Sequence, residues 1–96
     1  MFYTVNEIKE RVTPIFQSYN VRSAILFGSY AKETANERSD IDLYVDSGLR
    51  GLAFFGLLEE ISNKFEQNVD LIDSSQVKKN SKVYDEIMKT GVNIYG

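Results

Sequence analysis

Cysteine, histidine and tryptophan are absent from this chain, and proline occurs once. Without cysteine there is no disulfide framework, no thiolate nucleophile and no thiolate-bound zinc or iron–sulfur cluster. Without histidine, the Ser-His-Asp and Cys-His arrangements are excluded, as are histidine-ligated metal centres. Any metal must therefore be held by oxygen, which favours Mg²⁺, Mn²⁺ or Ca²⁺. Basic residues are also scarce: 11 Lys and Arg face 14 Asp and Glu, a formal charge of −3. A domain built to neutralise a phosphate backbone is usually basic, so nucleic acid is not the expected partner. No apolar run approaches the ~18 residues of a membrane span, and no basic-then-apolar leader opens the chain. These absences lead to the expectation of a soluble, cytoplasmic protein.

What is present is an ordinary globular composition. The hydrophobic fraction is 43% in 96 residues, which suits one domain spanning residues 1–96 and argues against intrinsic disorder. Val5, Ile8, Val12, Ile15, Phe16 and Tyr19 recur at helical spacing, and Thr4 with Glu7 fits a capping box, so a helix is predicted over Thr4–Tyr19. Pro14 predicts a kink there, or a restart with Thr13 as cap. Val21–Phe27, Ile41–Val45, Val69–Ile72 and Val92–Tyr95 read as strands, the last at an edge. Leu52, Phe55, Leu58, Ile61 and Phe65 predict a helix over Gly51–Phe65, with Phe54 also assigned to the core. A further helix is predicted within Ser75–Thr90, with Val83, Tyr84, Ile87 and Met88 as its core face and Gly91 as its stop. The order predicts an α/β (α+β) fold, a small mixed sheet of about four strands flanked by helices.

The chemistry concentrates between Gly28 and Leu43. A strand running into Gly28-Ser29 and then a helical turn exposes backbone N–H groups and a hydroxyl where an anion such as phosphate is favoured. Asp40 and Asp42 are two apart on a predicted strand, so their carboxylates share a face. Adjacent carboxylates repel unless a proton or cation intervenes, and Asp70 adds a third on another predicted strand. Alone, each element is ordinarily a turn or a solvated strand end. Together they suit a hard divalent ion completed by substrate phosphates.

Leu26-Phe27-Gly28-Ser29-Tyr30-Ala31 and Asp40-Ile41-Asp42-Leu43, with ten residues between Gly28-Ser29 and Asp40, resemble the signature of the polymerase-β-like nucleotidyltransferase superfamily, and most closely its minimal nucleotidyltransferase (MNT) branch. The resemblance extends in outline over the whole chain. It implies nucleotide binding at Gly28 and Ser29, metal (Mg²⁺ or Mn²⁺) and catalytic roles for Asp40, Asp42 and Asp70, and Asp70 as base toward the incoming hydroxyl. It implies transfer of a nucleoside monophosphate, AMP from ATP, with release of pyrophosphate. Many members of this branch are antitoxins of helical HEPN-family toxins, some of which they silence by adenylylating a tyrosine. A type VII-like antitoxin acting in a homo- or hetero-oligomer is thereby implied. Transfer to a small molecule such as an aminoglycoside, or inhibition of a toxin by contact alone, are the alternatives.

The sequence departs from the family pattern after Ala31, where Arg-Gly is common and Lys32-Glu33 stands instead. Lysine keeps the charge without the bidentate fork, and Glu33 brings a negative charge and loses glycine's freedom. Lys32 is either a phosphate contact or a solvated residue. Lys78, Lys79 and Lys82 read mainly as a solvated face. Phe2, Tyr3 and Tyr95 suit either edge packing or a partner interface.

Overall fold

Thr4 closes a complete capping box. Its hydroxyl accepts the Glu7 N–H at 3.1 Å and its own N–H donates to Glu7 Oε1 at 3.0 Å, fixing the start of α1, Val5–Ser18. In this computed structural model, which describes residues 2–96, α1 is one helix with Pro14 inside it, so of the two expected outcomes the restart with Thr13 as cap does not occur. Tertiary packing accounts for the continuity. Ile8, Val12, Ile15 and Phe16 are all buried on one side, so tertiary packing clamps both halves onto the same sheet.

That sheet comprises β1 (Ser23–Phe27), β2 (Ile41–Asp46), β3 (Val69–Asp73) and β4 (Val92–Tyr95), in the order β3-β2-β1-β4. The expected mixed four-stranded sheet is thus observed, with β2 parallel to β3 and β1 antiparallel to both β2 and β4. Ala24, Leu26, Ile41, Leu43, Val45 and Ile94 face the core with the buried side of α1. Burying each of the leucine, isoleucine and valine side chains among them contributes roughly 1.5–3 kcal/mol. The alternating residues, Phe27, Asp42, Tyr44 and Asp46, are only partly covered. Strand alternation therefore puts Ile41 and Leu43 into the core and turns Asp42 to the opposite face.

The second helix, α2, spans Leu52–Ser62, and its buried side differs from the predicted one. Leu57 and Ile61 are fully buried, whereas Leu52 is 89% and Phe55 64% exposed. Phe54, Leu57, Leu58 and Ile61 also have helical spacing, so an apolar helix offers two overlapping stripes and only docking chooses between them. Of the three phenylalanines assigned to the core, Phe65 is buried, Phe54 half-buried and Phe55 exposed. Gly56 leaves room for the Tyr19 ring, whose hydroxyl would lie 3.1 Å from an added Cβ and bonds Glu60.

Helix α3, Lys82–Thr90, starts at the Ser81 cap and packs on the other sheet face against β1. Only Ile87 of the expected core face is buried; Tyr84 is half-buried, and Val83 and Met88 are nearly half exposed. One nine-residue helix cannot bury two sides against one strand. Gly91 follows, with a Cβ there falling 2.3 Å from the Ile87 carbonyl oxygen and 2.5 Å from Ile25 Cγ2, so close packing demands glycine. The terminal aromatics pack within the chain: Tyr3 is buried in the core against Phe65, Phe2 stacks on Tyr30 and Tyr95 meets Phe16.

Candidate functional site

The strands converge their polar residues at one end of the sheet. β2 and β3 both begin there, and Asp42 is the direct partner of Asp70 in their parallel register. On its other side Asp42 pairs with Phe27, the last residue of β1. The next residue, Gly28, has φ of +73°, and a Cβ built on it would lie 2.2 Å from Asp42 Oδ2. Glycine is required on both counts: the left-handed backbone and the carboxylate lying over its α-carbon.

Beyond Gly28 the chain turns rather than forming a regular helix. Lys32 N–H donates to the Gly28 carbonyl at 3.1 Å and Thr34 N–H to the Ser29 carbonyl at 3.0 Å. Tyr30 anchors this corner from beneath, being 3% exposed with its hydroxyl accepting Gln67 Nε2 at 2.9 Å. Glu33, at the position where glycine is common in the resembled pattern, has φ of +60°, so the backbone there adopts the conformation glycine favours. Lys32 is ion-paired with Glu86 of α3.

A second turn delivers the acidic pair. Asn36 N–H donates to Ser39 Oγ at 2.9 Å and Arg38 N–H to Asn36 Oδ1 at 2.8 Å, and Ile41 N–H then opens the ladder on the Asn68 carbonyl at 2.9 Å. Asp40 stands just before β2, exposed, rather than within the strand as the sequence pattern predicts. Burial, the Asp70 charge, a hydrogen bond with Asp70, and the charges of Asp40 and Glu86 together push the Asp42 carboxyl from 3.8 to about 6. A carboxyl raised in this way is held between protonation and the attraction of a cation.

Among the described residues, no group of three or more acidic side chains closes into a metal cage. Asp42 and Asp70 face one another while Asp40 acts from the edge. This oxygen-only set nonetheless fits a hard divalent ion, which characteristically takes one or two carboxylates and completes its shell with water and phosphate. A cleft of about 470 Å³ lies beside it, lined by Asp40, Leu58, Phe65, Asn68 and Asp70 among others. A cleft of about 570 Å³ between Leu49, Phe54, Phe55 and Gln76 contains none of these three aspartates.

The structure thus brings Gly28, Ser29, Asp42 and Asp70 to one corner, with Asp40 and Lys32 at its margin. Sequence reasoning missed Glu86, which lies on a separate helix and carries no local pattern. It also missed the structural use of Asp73, a buried acid three residues beyond Asp70. Burial raises the Asp73 carboxyl, but hydrogen bonds from Ser47 and Ser75 outweigh burial and hold it below the ordinary value.

The family model described as polymerase beta, nucleotidyltransferase matches residues 10–96. The chain is 31% identical over 93 residues to a Methanocaldococcus jannaschii protein assigned the name protein adenylyltransferase, covering 94% of this chain and 97% of that one. A second protein of that organism with the same assigned name is 35% identical over 80 residues, covering 77% of this chain and 93% of its own length. Among solved structures, a toxin–antitoxin crystal structure with AMP-PNP superposes with a TM-score of 0.78 at 22% identity, covering 92% of this chain and 73% of that one. A structure of a tri-AMPylated Shewanella oneidensis HEPN toxin in complex with an MNT antitoxin gives a TM-score of 0.73 at 18% identity, covering 97% and 73%. At these identities the structural likenesses establish the fold.

Proposed function

Because this chain belongs to the polymerase beta nucleotidyltransferase family, we propose that its activity is transfer of AMP from ATP to a hydroxyl on a protein, with a tyrosine of a HEPN-family toxin as acceptor and antitoxin action as the outcome. The observation that carries this reading is the pairing of Asp42 with Asp70 across the parallel strands, beside Gly28. The assigned names of the M. jannaschii relatives support protein adenylylation. The AMP-PNP complex and the AMPylated HEPN toxin among the structural neighbours support ATP and a HEPN partner.

In this reading the Gly28-Ser29 corner receives the phosphates and Lys32 adds positive charge. Asp42 and Asp70, with Asp40 from the edge, would hold Mg²⁺ or Mn²⁺, which would supply neutralisation of phosphate charge and polarisation of the phosphorus centre. Asp70, exposed on β3, accepts the proton of the incoming hydroxyl. The new bond joins the acceptor oxygen to the α-phosphorus, the bond from that phosphorus to the bridging oxygen breaks, and pyrophosphate leaves. The cleft beside Asp40 and Asp70 offers the acceptor a line of approach. In this reading the partner protein that carries the acceptor supplies the acceptor's other wall, holding its hydroxyl in line with the α-phosphorus.

The test is incubation with Mg²⁺, α-labelled ATP and the product of the adjacent reading frame. Labelling of that partner by the wild type and its loss in Asp42→Asn are expected. A second reading, neutralisation by contact alone, is favoured by the Lys32–Glu86 pair, which occupies the cation the phosphates need. Absence of label with inhibition surviving in Asp42→Asn would establish that reading instead.

A further inference from the structure

Lys32 and Glu86 are 54 positions apart in the chain, yet Nζ of one is ion-paired with Oε1 of the other. The pair ties the turn after Gly28 to α3, the helix packed over β1 on the face that carries Asp42. Neither side chain is buried, with 40% of Lys32 and 49% of Glu86 accessible, so little holds them together beyond their own attraction. Glu86 also lies close enough to Asp42 for its charge to bear on that carboxyl. The lysine joined to the proposed phosphate corner therefore already has an anionic partner, and that partner stands at the rim of the acidic site.

We infer that Glu86 holds on Lys32 the place of a nucleotide phosphate, so that nucleotide binding exchanges one anionic partner of Lys32 for another. The inference rests on the nucleotide-binding reading of the Gly28-Ser29 corner and adds a residue that sets its affinity. The electrostatics support the exchange. An incoming phosphate meets Asp40, Asp42, Asp70 and Glu86 with Lys32 as the local countercharge, and withdrawal of Glu86 both frees the lysine and removes a like charge. Phosphate is the stronger competitor because it carries more charge and more acceptor oxygens than one carboxylate. Glu86 is thus a specificity-determining residue: a weakly charged ligand fails to displace it, and a triphosphate succeeds.

The test is calorimetric titration of the purified chain with Mg²⁺ and AMP-PNP, a readout independent of transfer. Glu86→Gln is expected to tighten binding roughly three- to five-fold, the upper end of the scale of one partly screened charge contact. Asp85→Asn makes the same charge change on an adjacent exposed position of α3 and is expected to shift affinity less than about two-fold. In a Lys32→Gln background, Glu86→Gln should gain clearly less than it does in the wild type, because only the removal of a like charge then remains. Unchanged or weaker binding by Glu86→Gln overturns the inference. Weaker binding with a lowered melting temperature would assign the pair to holding α3 in place, which also overturns it. Wild-type binding that is lost in Asp42→Asn yet indifferent to Glu86→Gln sinks this inference and leaves the nucleotide reading standing. Binding by neither wild type nor Glu86→Gln overturns both.

Discussion

The carboxylate of Asp42 lies directly over the α-carbon of Gly28, where a methyl group would sit 2.2 Å from Oδ2. The end of one strand and the start of its neighbour thus share a space that only glycine leaves open. Gly28→Ala is expected to cost about 1–2 kcal/mol from the left-handed backbone alone, and to push the Asp42 carboxylate off its position opposite Asp70. Urea unfolding should report the loss of stability. Titration with Mg²⁺ and AMP-PNP should report loss of binding in the fraction that remains folded.

Asp42 makes stability depend on pH in a direction opposite to that of most carboxylates. Its folded value near 6 is above the ordinary 3.8, so the fold favours the neutral form. That contribution is fully present below pH ~4 and is lost as pH rises through about 6. A shift of about two units corresponds to roughly 3 kcal/mol before solvent screening, and to about 1–2 kcal/mol for a partly exposed group. In chelator, Asp42→Asn should therefore match the wild type near pH 4 and exceed it by about 1–2 kcal/mol near pH 7.5. Mg²⁺ should raise the wild-type melting temperature at pH 7.5 and leave Asp42→Asn unmoved. A melting difference between the two proteins that does not vary with pH would count against this.

Local patterns carried the strands, the Thr4 cap and the corner at Gly28 into view, because alternation, capping and a strand-ending glycine each act over a few residues. Whether α1 runs on through Pro14 or restarts at Thr13 is open in the sequence, since what decides it is burial of Ile15 and Phe16 against a sheet formed later in the chain. The docked side of α2 was hidden for a related reason: Leu52 with Phe55, and Phe54 with Leu57, each begin a valid apolar stripe. At the site, Asp40 and Asp42 announced themselves by spacing, whereas Glu86 reaches them only through the packing of α3. Asp70 and Asp73 look alike in sequence, and only the end of β3 makes one exposed and the other 4% exposed.

That contrast yields a prediction. Asp73 accepts the Ser47 N–H and the Ser75 N–H, each at 3.0 Å, together with both serine hydroxyls. Asp73→Ala strands these donors and removes a cap, for an expected loss on the order of 3 kcal/mol. Because its folded value is lowered, its ionised form stabilises the protein above the ordinary value near 3.8, and that stability disappears as acid protonates it. Asp73 lies at the far end of β3 from Asp70, so nucleotide affinity of the folded variant should stay within about two-fold of wild type. A strong loss of affinity at unchanged stability would show that the acid serves the site.

Glu33 offers the reverse test, a substitution expected to stabilise. Its φ of +60° costs a residue with a β-carbon roughly 1–2 kcal/mol, whereas glycine adopts it freely at an entropic cost of about 0.5–1 kcal/mol in the unfolded chain. Glu33 is exposed, so its side chain contributes little packing. Glu33→Gly should gain about 0.5 kcal/mol, measured as a shift of the urea midpoint at constant slope. Glu33→Ala separates backbone from charge: it removes the same carboxylate but retains the β-carbon, and should give no gain. Equal stabilisation by both variants would assign the effect to repulsion from the acidic corner, and the left-handed backbone would then not be its source.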